Sequence, residues 1–121
     1  MNTWKFLHPD EEAPFAIKLA NDFDIWNKKS VYNWDKQLFP FTYFINSLGI
    51  QLNDNSGELV QTLTNMLTTP QLTEKAIEIG KYIWNFIKNQ YNLSAHKIYN
   101  FMWNDYNCLC VNSSFSGSTQ F

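Results

Sequence analysis

The stretch TTPQLTEKAIEIGKYIWNFIKNQYN, Thr68 to Asn92, decides the fold. A threonine ahead of Pro70 signals a helix start, because proline suits the first helical turn, where its missing N–H has no partner to lose. Leu72, Ala76, Ile79, Ile83 and Phe86 then recur at steps of three and four, the period of one helix face. The spacing predicts a long helix. After a break near Leu93 and Ser94, a continuation through AHKIYNFMWNDY is expected.

Upstream, GELVQTLTNMLT reads as a short amphipathic helix, set off by the loop QLNDNSG. QLFPFTYFINSLGI is a largely apolar helix ending near Gly49, and NKKSVYNWDK is a polar loop with two aromatics. A helix from about Pro14 to Trp26 precedes it, with Asp10, Glu11 and Glu12 near its positive end. The opening TWKFLHPDEEAP reads as an aromatic anchor and a turn, NCLCVNSSF as a β-like run and SGSTQF as a polar tail. The expected architecture is mainly α, a compact helical domain of four to five helices with a short C-terminal β-strand. It forms one domain over residues 1–121.

The totals agree with one globular domain. A chain of 121 residues buries roughly two thirds of its unfolded surface, and a second core has no room. Every apolar stretch is interrupted well before the about 18 residues that a membrane span requires, and MNTWKFLHPDEE lacks a signal pattern. A cytoplasmic location and no membrane partner are expected. Cys108 and Cys110 are too close for an unstrained disulfide and are read as reduced, small core residues. Nine lysines supply all the positive charge, with no arginine, against eleven Asp and Glu, so binding to duplex nucleic acid is not expected. The abundance of Asn without Arg fits an AT-rich genome, such as that of some bacteria and their phages. Aromatics make up 17% of the chain, more than one small core readily hides, which points to an oligomer interface or a pocket as well as to a Phe-rich core.

Within AIKLANDFDIW, Ala16 to Trp26, two carboxylates stand two residues apart. At 100° per residue from Phe15, Asp22 falls at about 340°, inside the apolar stripe of Leu19, Phe23 and Trp26. Asp24 falls at about 180°, on the opposite side. The two cannot chelate one ion from a regular helix, which leaves Asp22 as a single inward acid. Such an acid needs a donor or a cation: a structural hydrogen bond, or a metal or ligand contact.

TWKFLHPDEEAPFAIKLANDFDIWN resembles the middle of DHH-family phosphoesterases, which have a similar Trp-aromatic-Pro stretch and then a Pro-led helix ending in D-x-D-x-W. The likeness continues through FPFTYFINSLGI, AIEIGKYI and CLCVNSSFSGSTQF. Members hydrolyse phosphodiesters of short oligonucleotides, cyclic dinucleotides or related substrates with manganese-type ions held by Asp and His clusters. The resemblance implies that Asp22 is a metal ligand and that Asp22, Trp26, Asn112 and Ser113 face a ligand. The upstream Asp-x-Asp and Asp-His-His motifs and the downstream glycine-rich His motif do not occur here. One Asp cannot hold a hydrolytic metal pair, so no catalytic residue is assigned and manganese is expected only in company with a missing catalytic part.

The expected function is that of a non-catalytic binding protein derived from such an enzyme. A phage-type, anti-defence protein that sequesters a nucleotide signal or blocks a host protein would fit, as a homo-oligomer. The alternatives are a split piece of a metal-dependent phosphoesterase and a helical oligomerisation module. SSFSGS, Ser113 to Ser118, offers hydroxyls and a glycine-bearing turn to a phosphate, against the plainer reading of a polar tail.

Overall fold

The computed structural model describes residues 2–49, 57–95 and 98–110. Its elements are α1 (Asn2–Leu7), α2 (Phe15–Asp24), a π-helical turn (Trp34–Leu38), α3 (Phe39–Ser47), α4 (Gly57–Thr68), α5 (Pro70–Ala95), β1 (Tyr99–Trp103) and β2 (Tyr106–Cys110). The protein is mainly helical with a short antiparallel sheet at its C-terminal end. Contacts divide it into two compact units, residues 1–84 and 85–121.

The core of the first unit is built from α2, the π-turn, α3, α4 and the first part of α5. Ala16, Leu19, Leu38, Phe41, Met66, Ala76 and Ile77 are buried together there, with Phe15, Phe23, Tyr32, Trp34 and Phe44 packed around them. Leu19 and Leu38 are fully enclosed. Burial on that scale stabilises by about 1.5–3 kcal/mol for each leucine.

Local chemistry sets the element ends. α2 starts behind Pro14, whose carbonyl accepts from Lys18 N at 3.1 Å. Asn33 caps the π-turn: its side chain accepts from Lys36 N at 2.8 Å while its own N–H reaches Gln37 Oε1 at 2.9 Å. α3 carries Pro40 in its first turn and stops at Gly49, whose φ of +64° lies in the left-handed region that glycine reaches without a steric penalty. The Thr73 hydroxyl, fully buried, donates to Met66 O at 3.3 Å and so meets one of the last carbonyls of α4.

α5 is the expected long helix. In the first unit its buried residues are Thr73, Ala76, Ile77, Gly80 and Trp84, whereas Leu72 and Ile79 stay 38% and 44% exposed. Apolar residues cover more than half of the helix circumference, so periodicity offers two stripes. Small residues decide between them. At Gly80 the helix lies so close to α3 that a Cβ would stand 1.9 Å from Pro40 O, and only glycine fits.

The second unit, in its described residues, holds the end of α5 and the β1–β2 hairpin, and Ile87 and Tyr91 are buried. Tyr99 to Trp103, expected to continue as a helix, forms β1 instead, and the run expected to be β-like forms β2, with register Tyr99↔Cys110, Phe101↔Cys108 and Trp103↔Tyr106. Tyr99 to Trp103 is aromatic-rich and suits a strand. Asn104 and Asp105, at φ +44° and +66°, make the two-residue turn, in which Asn and Asp tolerate the left-handed conformation. Cys108 and Cys110 are strand residues, half-buried and exposed, not core residues as expected. The opening segment, read as an anchor and a turn, is a helical turn in which Trp4 stacks on His8 with centroids 4.3 Å apart.

Candidate binding site

The segment from Asp22 to Asp35 leaves α2, folds back on itself and enters the π-turn. Asp22 is half-buried near the end of α2, and its Oδ2 accepts from the Ser30 hydroxyl, while Oδ1 lies 3.4 Å from Asn21 Nδ2. The Asp22 carbonyl accepts from Asn27 N at 2.9 Å. Ser30 Oγ also accepts from Tyr32 N at 3.0 Å, so one hydroxyl bridges the helix end and the loop. Asn27 supplies the second anchor: its Oδ1 accepts from Lys29 N at 3.1 Å, and its carbonyl accepts from Ser30 N at 3.0 Å and Trp34 Nε1 at 3.0 Å. The donor that an inward acid requires is thus a serine eight residues on. Asp24 is exposed.

Aromatic rings form the wall beside this loop. Trp34 packs on Phe23, Trp26 and Phe39 with centroids 5.7, 4.7 and 5.5 Å apart. Phe39 stacks on Trp84 at 4.4 Å, and Tyr43 stacks on the same indole at 5.3 Å. Trp84 Nε1 donates to Asp35 Oδ1 at 2.8 Å, which ties α5 to the π-turn across 49 residues. Trp26 is not part of α2. Its φ of +53° ends the helix and leaves the residue 41% exposed at the edge of the cluster. A bulky residue in that conformation costs about 1–2 kcal/mol, which the ring contacts with Phe23 and Trp34 offset.

An open hollow of about 470 Å³ lies along the loop, lined by Ser30, Val31, Tyr32, Asn33, Trp34 and Asp35. Lys28 and Lys29 are exposed on the same segment, and Lys36 is exposed in the π-turn just after it. Lys18, on α2, is paired with Glu12. That hydrogen bond, with the charge attraction, holds the Glu12 carboxyl below the usual carboxylate range, and the same bond raises Lys18 above the usual lysine range.

Of the residues assigned to a ligand, Asp22 and Trp26 flank the start of this loop, whereas Asn112 and Ser113 lie outside the described residues. Among the described residues, no three His, Cys, Asp or Glu side chains come together as a metal site. Asn27 and Ser30 carry no strong signal in the sequence, although Asn27 followed two residues on by a backbone donor is the pattern of an Asx turn. The Trp84–Asp35 bond has no local signal at all. Among the described residues, no helix is long and apolar enough to cross a membrane. The chain matches no protein-family model, no curated protein and no solved structure.

Proposed function

We propose that the protein is a non-catalytic binding protein that takes a nucleotide-type ligand on the loop between α2 and the π-turn. The observation that carries the proposal is the clasp of Asp22 on Ser30 beside a solvent-open, aromatic-walled hollow. A carboxylate engaged in this way positions a loop. Tyr32 and Trp34 line the hollow and Trp26 shows part of its ring to solvent, giving faces on which a base can stack, worth about 1–3 kcal/mol per base. Lys28, Lys29 and Lys36 supply positive charge for a phosphate, and the Asp35 carboxylate is turned to the Trp84 indole. The likeness of ANDFDIW to the DHH phosphoesterase motif supports the same ligand class. A cytoplasmic setting, in which Cys108 and Cys110 stay reduced, belongs to this proposal.

Titration calorimetry against cyclic dinucleotides, ADP-ribose derivatives and short oligonucleotides tests it. One ligand should bind per chain without added manganese and be recovered intact. Absence of heat with every ligand would overturn it. A second reading, docking of the loop on another protein, is favoured by Ile25 and Val31, which stand 62% and 90% exposed on the same segment. For that reading, Ile25→Lys, outside the lining of the hollow, should abolish capture of the partner while leaving nucleotide titrations unchanged.

A further inference from the structure

The β1–β2 hairpin presents two unlike faces. Side chains alternate along a strand, and the register sets Tyr99, Phe101, Trp103, Tyr106, Cys108 and Cys110 on one face, with Asn100, Met102, Asn107 and Leu109 on the other. On the first face Phe101 and Trp103 are neighbours, with ring centroids 6.5 Å apart. The four aromatic residues remain exposed: Tyr99 66%, Phe101 42%, Trp103 61% and Tyr106 75%. A two-stranded sheet is marginally stable in water by itself, and soluble proteins seldom leave so many adjacent rings uncovered.

We propose that this aromatic face is a self-association surface, on which a second copy of the chain packs face to face. Two observations select a second copy as the occupant. The first is charge. From Ile98 to Cys110 the only charged side chain is Asp105, in the turn, so neither strand carries the Lys or Glu with which edge strands resist like copies. A face without charge offers nothing to orient a charged partner, whereas an uncharged aromatic face matches its own twin about a twofold axis. The second is area. An aromatic side chain buries about 150–250 Å² when fully covered. Scaled by their exposure, the four rings supply roughly 500 Å² per copy, hence about 1,000 Å² in a pair, the size at which an interface becomes specific.

Sedimentation velocity of the full chain under reducing conditions, across a range of concentrations, tests this. A monomer–dimer equilibrium is expected. Phe101→Lys and Tyr106→Lys should each weaken it by about tenfold or more, because a charge would have to be buried in the pair. Met102→Lys, on the opposite face, should leave it unchanged. Far-UV circular dichroism, dominated by the helices, reports whether each variant is folded. Independently, mild oxidation should trap a covalent dimer through Cys108 or Cys110. The double variant Cys108→Ser, Cys110→Ser should lose the cross-link and still sediment as a dimer. A wild-type chain that stays monomeric at every concentration would overturn the proposal, leaving the face to another segment of this chain or to a different protein. So would a dimer that Met102→Lys disrupts as strongly as Phe101→Lys.

Discussion

Ser30 does more for the loop than its size suggests, since one hydroxyl donates to the Asp22 carboxylate and accepts from Tyr32 N. Ser30→Ala removes both bonds and leaves a half-buried carboxylate short of a donor. We expect a loss of about 1–3 kcal/mol, read as a lower urea midpoint with an unchanged m-value, and partial recovery in Ser30→Thr. The Glu12–Lys18 pair gives a pH-dependent signature. Glu12 titrates below its unfolded value, so its contribution is present above the ordinary carboxylate pKa and fades as pH falls through the lowered one. Lys18 titrates above its unfolded value, so its contribution is complete below the ordinary lysine pKa and fades as pH rises through the raised one. The pair is exposed and contributes little stability, but NMR titration should show the Glu12 shift vanish in Lys18→Gln. A Glu12 shift that survives the substitution would point to another cause.

At the scale of elements, α5 rests on Gly80. Gly80→Ala drives a methyl group into the Pro40 carbonyl, and backbone does not yield as a flexible side chain does. The change should destabilise the protein by about 3 kcal/mol or more, against a gain of about 1 kcal/mol for the same substitution in an unhindered helix. A thermal midpoint at or above that of the wild type would contradict the crossing of α3 and α5. Helix positions were largely legible in the sequence: Pro70 starts α5, Gly57 to Thr68 is α4, and Gly49 follows the end of α3. The buried face of α5 was not. Leu72, Ile79 and Phe86 repeat as regularly as Thr73, Gly80 and Trp84, and the choice between them depends on the Pro40 carbonyl, which lies 40 residues away in sequence. The second strand was legible as the β-like run NCLC, but the first strand and its turn were hidden, because FMWNDYN has helical as well as strand spacing and its turn lacks the usual glycine. Asp105→Gly should relieve the φ of +66° and stabilise the hairpin by under about 1 kcal/mol, seen as slower amide exchange at Trp103 and Tyr106.

Across the whole molecule, the helical expectation agrees with the structure, and the acid singled out by its angular position, Asp22, is half-buried and hydrogen-bonded. The nature of its partner lay beyond the sequence, since any of several donors would satisfy a carboxylate and the loop path alone brings Ser30 to it. The proposed property of the aromatic loop is binding of a nucleotide-type ligand without turnover. Calorimetric titration of the wild-type chain and of Trp26→Ala with the same set of cyclic dinucleotides, ADP-ribose derivatives and oligonucleotides decides it. One ligand per wild-type chain, weakened about tenfold in Trp26→Ala through loss of stacking and recovered unhydrolysed, is the predicted result. No heat from any ligand, or equal binding by both chains, would contradict it.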